Sequence, residues 1–252
     1  SLVGSEMCIR DSFDPDALRE AVCFCHARGV AVHVTLNTLV YAAELGGLAD
    51  AVRAVAAAGA DAVIVDDLAT AQLVRSIAPG LRLHGSTQMS IHTAEGAKML
   101  AKLGYSRAIL ARELSLAEIE TVVKASPIEC EVFVHGAMCM SYSGRCMLSD
   151  YLASRSSNRG DCAQPCRWNY KITEENRPGE PLQAEETERG TFLFNSKDLC
   201  MLPYLQELKD AGITSFKIEG RMKSEFYTAI TVRAYRLAID AMAVSYTHLT
   251  LP

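Results

Sequence analysis

The stretch LADAVRAVAAAGADAVIV, residues 48–65, decides the fold. It reads as a helix to about Ala58, a glycine at 59, and the short apolar strand DAVIV at 61–65. Glycine just past a helix is the expected left-handed terminator, so the unit is helix, stop, strand. The same unit recurs outward in both directions. Asp14-Pro15 opens a helix with an N-cap carboxylate and a proline at the first helical position. That helix stops at Gly29, and AVHVTLN (31–37) follows. Helix 69–77 leads through Pro79-Gly80 to LRLH (81–84), and helix 94–103 through Gly104 to RAILA (107–111). Ser115 to Glu118 forms a capping box for a helix to about Ala125, ahead of ECEVFVH (129–135). The pattern breaks between Gly136 and Gly190. It resumes with TFLFN (191–195), helix 202–211, Gly212, SFKIE (215–219) and a last helix from about Ser224 to Ala243. Strands alternating with helices in this way imply a parallel sheet. With one unit missing ahead of the first, the count fits a TIM-like (β/α)8 barrel whose first βα unit is truncated. A Cys-rich insertion (136–190) then follows the sixth strand. A doubly wound open sheet is the alternative, but no G-x-G-x-x-G follows any strand.

The strands turn polar side chains one way. In EVFVH, Val132 and Val134 share one face while Glu131, Phe133 and His135 share the other. In FKIE, Phe216 and Ile218 oppose Lys217 and Glu219. His84, Arg112 and Asn195 lie at or just past the ends of their strands. The mouth of a parallel barrel is formed by the carboxyl ends of its strands, where chemistry happens. One polar strand end is an ordinary structural group, but His, Arg, Glu, Asn and Lys together point to a site.

Cys139, Cys146, Cys162 and Cys166 form a C-x6-C-x15-C-x3-C run just past the sixth strand. Thiols clustered in a chain with no export signal hold metal more often than they form disulfides. Four thiolates complete the shell of zinc or of an iron–sulfur cluster. The spacing is not that of a zinc ribbon, since no C-x2-C occurs. Cys23, Cys25 and Cys130 read as small hydrophobes.

The 252 residues carry a formal net charge of -5 and are 49% hydrophobic, which suits a sizeable core and argues against indiscriminate nucleic-acid binding. No apolar run approaches the ~18 residues of a membrane span, so the expected location is the cytoplasm. Arg145, Arg155, Arg159, Arg167 and Lys171 accompany the cysteines against only Asp150 and Asp161. They read either as a solvated face or as an electrostatic footprint for phosphates. The segment from Glu174 to Glu188 is acidic and rich in turn residues. Residues 1–12 and 245–252 continue no neighbouring period and read as foreign, which leaves 13–243 as the domain.

EVFVHGAMCMSYSGRCMLSDY (131–151), GDCAQPCRW (160–168), FNSKDLC (194–200) and FKIEGRMKSEFY (216–227) together resemble peptidase family U32, the collagenase-like proteins. The acidic 175–200 stretch is most similar to the branch that forms 5-hydroxyuridine in tRNA. The resemblance implies an RNA hydroxylase that works without molecular oxygen, through a [4Fe–4S] cluster, with prephenate as possible oxygen donor. It places Cys139, Cys146, Cys162 and Cys166 on the cluster and leaves Cys200 as a rival to Cys166. On this reading His135 and His84 carry protons. Arg145, Arg159 and Arg167 engage phosphates or a carboxylate-bearing donor. Glu131, Lys217 and Glu219 complete the catalytic set, with Arg112, Asn195 and Arg221 binding substrate; Lys217, Glu219 and Arg221 bind an anion or neutralise one another. Two alternatives stand beside it. One is a peptidase using a Ser–His pair drawn from Ser141, Ser143 or Ser149 with His135. The other is a barrel with a structural zinc.

Overall fold

A computed structural model describes residues 13–139, 141–142, 145–168, 173–174, 177–181, 198–221 and 223–248. The repeat emerges much as the sequence implies. Helix α1 (Pro15–His26) starts on the Asp14 carboxylate, which accepts from the Asp16 and Ala17 amides. It is followed by β1 (His33–Leu36), α2 (Leu45–Ala57), β2 (Ala62–Val65), α3 (Leu68–Ile77), β3 (Arg82–Gly85), α4 (Ala94–Lys102), β4 (Arg107–Ile109), α5 (Leu116–Ala125) and β5 (Glu129–Gly136). Gly59 takes the left-handed conformation (φ +80) that ends α2. The Ser115 capping box is present, with the Glu118 carboxylate 2.7 Å from the Ser115 amide.

Beyond β5 lie α6 (Leu148–Ala153), a hairpin of β6 (Thr173–Glu174) and β7 (Arg177–Pro181), the two-residue β8 (Leu199–Cys200), α7 (Leu205–Asp210), β9 (Ser215–Ile218) and α8 (Glu225–His248). Among the described residues no helix is long and apolar enough to cross a membrane.

β1 to β5 pair in parallel in sequence order, and β9 continues the sheet in parallel beside β5. β8 pairs antiparallel with the last residues of β5, His135 facing Cys200. The strand expected at TFLFN (191–195) lies outside the described residues, and β9 takes the place next to β5. Neither the hairpin nor β8 was expected, because short polar pairings carry no hydrophobic period.

Side-chain alternation divides the sheet. Val34, Leu36, Val63, Val65, Leu83, Leu110, Val132 and Val134 face the helices and join one core with Leu48, Val52 and Val55 of α2. On the other face, Thr35, Ile64, Ile109, Phe133 and Lys217, from β1, β2, β4, β5 and β9, all line one cavity of about 590 Å³. In a flat sheet β1 and β9 would stand five strand spacings apart, about 24 Å at ~4.8 Å each. Sharing one cavity therefore requires the sheet to curl around it. Among the described residues no pairing joins β1 to β9, so the curl is open on that side.

Candidate active site

The floor of the curl is polar and buried. Glu131 receives Lys217 Nζ at 3.2 Å, Ser215 Oγ at 2.8 Å and Arg107 Nη1 at 3.1 Å. Burial alone would raise the Glu131 carboxyl, but Lys217, Ser215 and Arg107 outweigh it and hold it below the usual carboxylate range. Arg107 also grips Glu129 at 2.7 Å. Glu131 and Lys217, both expected in the catalytic set, thus neutralise each other, while Lys217 still reaches the cavity.

His84 is corrected. It is buried inside β3, its ring edge-on to His33 at 4.7 Å. Burial, then the Arg107 and His33 charges, push its pKa down to about 3, so it is neutral where a proton carrier would need to titrate. His135 is corrected too. The β5–β9 register shifts between Phe133 and His135, and the His135 ring packs against Tyr227 and Tyr235 of α8. Its Nδ1 lies 3.3 Å from the Tyr235 hydroxyl, which donates to the Val134 carbonyl at 2.7 Å. Alternation alone could not show this, because one irregular residue reverses the face of all that follow.

At the carboxyl ends of β4, β5 and β9 the expected mouth forms. Arg112 is half-buried there, its guanidinium 3.8 Å over the Phe133 ring and its Nη1 donating to the Ala137 carbonyl at 3.1 Å. Burial pulls its basicity down, while Cys139 and Glu219 act the other way. Glu219 accepts from the Ala137 amide at 3.4 Å and the Arg221 amide at 3.1 Å. Gly136 (φ +108) permits this closeness, since a Cβ there would stand 2.4 Å from the Glu219 carbonyl oxygen. Arg221 lines the cavity beside Gly160.

The other expected arginines are placed differently. Arg159 pairs with Glu44 at 2.8 Å and lies over the Tyr41 ring at 4.6 Å. Arg167 pairs with Asp198 at 2.8 Å, and Lys223 meets the same carboxylate at 3.2 Å. These two arginines therefore tie the cysteine loop to the body instead of standing ready for an anion. Arg145 is exposed, and Asn195 lies outside the described residues.

The loop gathers the four cysteines. Cys139 lines the cavity. Its thiol is pushed up by burial and further by Cys146 and Cys162; that of Cys166 by burial and then by Cys139, Cys162 and Cys146. Cys139 and Cys166 thus each feel the other three cysteines or are felt by them. Cys200 instead pairs across from His135 and acts on Tyr235. Among the described residues, no three His, Cys, Asp or Glu side chains converge as one metal ion demands. Thiolates on one zinc, at ~2.3 Å each, would stand about 4 Å apart. A closed zinc site is therefore not formed by the side chains as they stand among the described residues.

Among the described residues no hydrogen bond joins Ser141 or Ser149 to His135. Ser149 is buried and its Oγ accepts from the Ala163 amide at 3.0 Å. His135 is engaged with Tyr235, and Ser143 lies outside the described residues.

The sequence reading missed the opposite wall. Asn37 and Thr38, just past β1, and Ser86, Thr87 and Gln88, just past β3, line the same cavity. The signal is present as small polar residues following each strand (NT, STQ), but such residues are common after strands.

Comparison with known proteins agrees with the motifs. The family model for peptidase family U32 matches residues 7–249. The chain is 38% identical over 232 residues to a "tRNA hydroxylation protein P1" of Bacillus subtilis (strain 168), covering 92% of this chain and 54% of that one. It is 38% identical to a 23S rRNA 5-hydroxycytidine synthase of Escherichia coli (strain K12), over 89% of this chain and 33% of the relative. A "Collagenase" of Porphyromonas gingivalis is 32% identical over 92% of this chain and 56% of its own length. The chain spans about half the length of the curated relatives it matches first. With a family match over nearly its whole length and relatives above 30% identity, the chain belongs to peptidase family U32.

Proposed function

We propose that this chain carries the catalytic barrel of an iron–sulfur-dependent RNA hydroxylase acting on uridine in tRNA. The observation that carries the reading is Cys139 lining a cavity that also holds the half-buried Arg112, with Cys146, Cys162 and Cys166 near enough to share charge effects with it. The relatives named for tRNA and rRNA hydroxylation support it. Cys139, Cys146, Cys162 and Cys166 would hold a [4Fe–4S] cluster, with Cys200 outside the set. When bound, such a cluster supplies an electron-transfer and Lewis-acid centre at the cavity wall.

The chain's own residues define what surrounds that centre. Arg112, fixed by Phe133 and Ala137, offers a bidentate partner to a small carboxylate donor such as prephenate. Lys217 reaches the cavity from the floor as a hydrogen-bond donor, held in place by Glu131. Glu219 positions the backbone of Ala137 and Arg221 at the mouth. A uridine in an anticodon loop is splayed from the stack, and such bases are accessible to a concave site. In the complete protein the open side between β1 and β9 closes to a (β/α)8 barrel, and the protein works in the cytoplasm, where tRNA is.

The test uses the full-length protein. Purified without air, it is expected to show the broad visible absorption of an iron–sulfur cluster, lost in Cys139→Ala and Cys162→Ala. Loss of the gene should remove hydroxyuridine from tRNA by mass spectrometry. A colourless protein with one zinc, or unchanged hydroxyuridine, would refute the cluster or the substrate respectively.

A further inference from the structure

The cavity is divided by charge. Arg112, Lys217, Glu219 and Arg221 enter from the β4, β5 and β9 side, whereas Asn37, Thr38, Ser86 and Gln88 enter from β1 and β3 and cannot ionise. This neutral wall does not satisfy itself. The Asn37 amide donates to Ser86 Oγ at 3.0 Å, but Thr38 Oγ1 and Gln88 Oε1 are buried with no hydrogen-bond partner among the described residues. Thr38 is only 4% exposed. Buried polar atoms without partners are rare, and two on one wall of one cavity call for something that fills it.

The wall's chemistry restricts the occupant. An anion or cation would find no counter-charge, and an apolar group would leave both atoms unpaired. What fits is a flat neutral group with donor and acceptor along one edge. The C=O–NH–C=O edge of a uracil ring has that pattern.

We propose that Thr38 and Gln88, backed by Asn37 and Ser86, form a base subsite for the imide edge of a pyrimidine; this rests on the RNA-hydroxylation reading. Gln88 Oε1 accepts from the ring N3–H, and the Thr38 hydroxyl donates to a ring carbonyl. Because C5 and C6 lie on the opposite edge of the ring, this docking turns C5 toward the charged wall and Cys139. The neutral wall thus selects the base, and the charged wall handles the other reactant.

The test compares uridine 5′-monophosphate with its N3-methyl analogue as ligands of the full-length protein. It also measures hydroxyuridine in tRNA from a deletion strain complemented with each variant. Wild type should bind the N3-methyl analogue at least about tenfold more weakly, the scale of one lost hydrogen bond plus a buried unpaired acceptor. Thr38→Val and Gln88→Leu should each weaken uridine monophosphate about tenfold, lose discrimination against the methyl group and lower tRNA hydroxyuridine. Inorganic phosphate binding should stay unchanged. Equal binding of the two nucleotides by wild type, or no binding of either, overturns the subsite even if the variants do not fold. So do variants that melt like wild type and retain its uridine binding and hydroxyuridine level. If wild type restores no hydroxyuridine but binds uridine through Thr38 and Gln88, the hydroxylase reading falls and the subsite stands.

Discussion

The βα body from α1 to β5 and the cysteine-bearing excursion from Ala137 to Trp168 are held together by different forces. In the body, Leu36, Leu48, Val52, Val55, Val65 and Leu83 are wholly excluded from water on the outer face of the curl. In the excursion, Ser149 and Pro165 alone are buried among the described residues, while Tyr142, Met147 and Tyr151 stand exposed. Polar ties take the place of a core there. Ser157 Oγ donates to the Cys146 carbonyl at 2.7 Å, Arg155 Nε to Asp161 at 3.0 Å, and Arg159 and Arg167 anchor the loop to Glu44 and Asp198. The body organises itself by hydrophobic burial. The excursion has too little apolar surface to do so, and segments of that kind draw stability from a bound group when they have one.

The comparison breaks most sharply at the core. Leu36→Ala should cost about 2–5 kcal/mol in urea denaturation, since a fully buried leucine leaves a cavity. An effect well below that would mean the body is looser than its packing implies. Next comes the polar floor. Glu131→Gln should cost about 2 kcal/mol, because Lys217 loses its counter-charge in a buried setting, and adding Lys217→Met should recover part of it. If the double change costs as much as the sum, the two residues are not coupled. Asp198→Asn should cost about 1 kcal/mol or less in global stability, because the pairs it breaks are partly exposed. Its larger signature should be faster proteolysis within the cysteine loop. Smallest is Tyr151→Ala, at a side chain 86% exposed, expected within about 0.5 kcal/mol of wild type.

A pH series sharpens the same contrast without cutting a contact. His84 faces His33 of β1, Arg82 of β3, Arg107 of β4 and Glu131 of β5, and burial holds its folded pKa near about 3 against 6.5 unfolded. Below 6.5 the unfolded chain takes up a proton that the folded protein refuses, so stability falls as pH drops toward about 3. Asp66, raised to about 6 chiefly by burial, acts oppositely: between 3.8 and about 6 the folded form keeps a proton that the unfolded chain releases, so stability falls as pH rises. His84→Gln should flatten the acid limb of the stability profile, and Asp66→Asn should steepen it. An acid limb unchanged in His84→Gln would show that the interior is wet.

The strand–helix order, the glycine stops, the Ser115 box and the outward valines of β5 were all legible, because each depends on residues near in sequence. So was the placing of Arg112 and Glu219 at the strand ends around one cavity. The placements of His84 and His135 were not. One depends on how deep a strand residue sits in the curl, the other on a register shift set by pairing with β9. Asn37, Thr38, Ser86 and Gln88 passed unnoticed because hydroxyls and amides are common after strands and gain meaning only when several meet in one cavity.

Local periodicity and capping, written into the chain itself, determined that this protein is an alternating α/β body with a thiol-rich excursion past ECEVFVH. Which residues face one another across the cavity was decided by the curl of the sheet and by β9 lying against β5. The reason is physical: helix and strand signals arise within a few residues, whereas the encounter of Thr35 with Lys217 around one cavity joins positions 182 apart and follows from closure of the sheet.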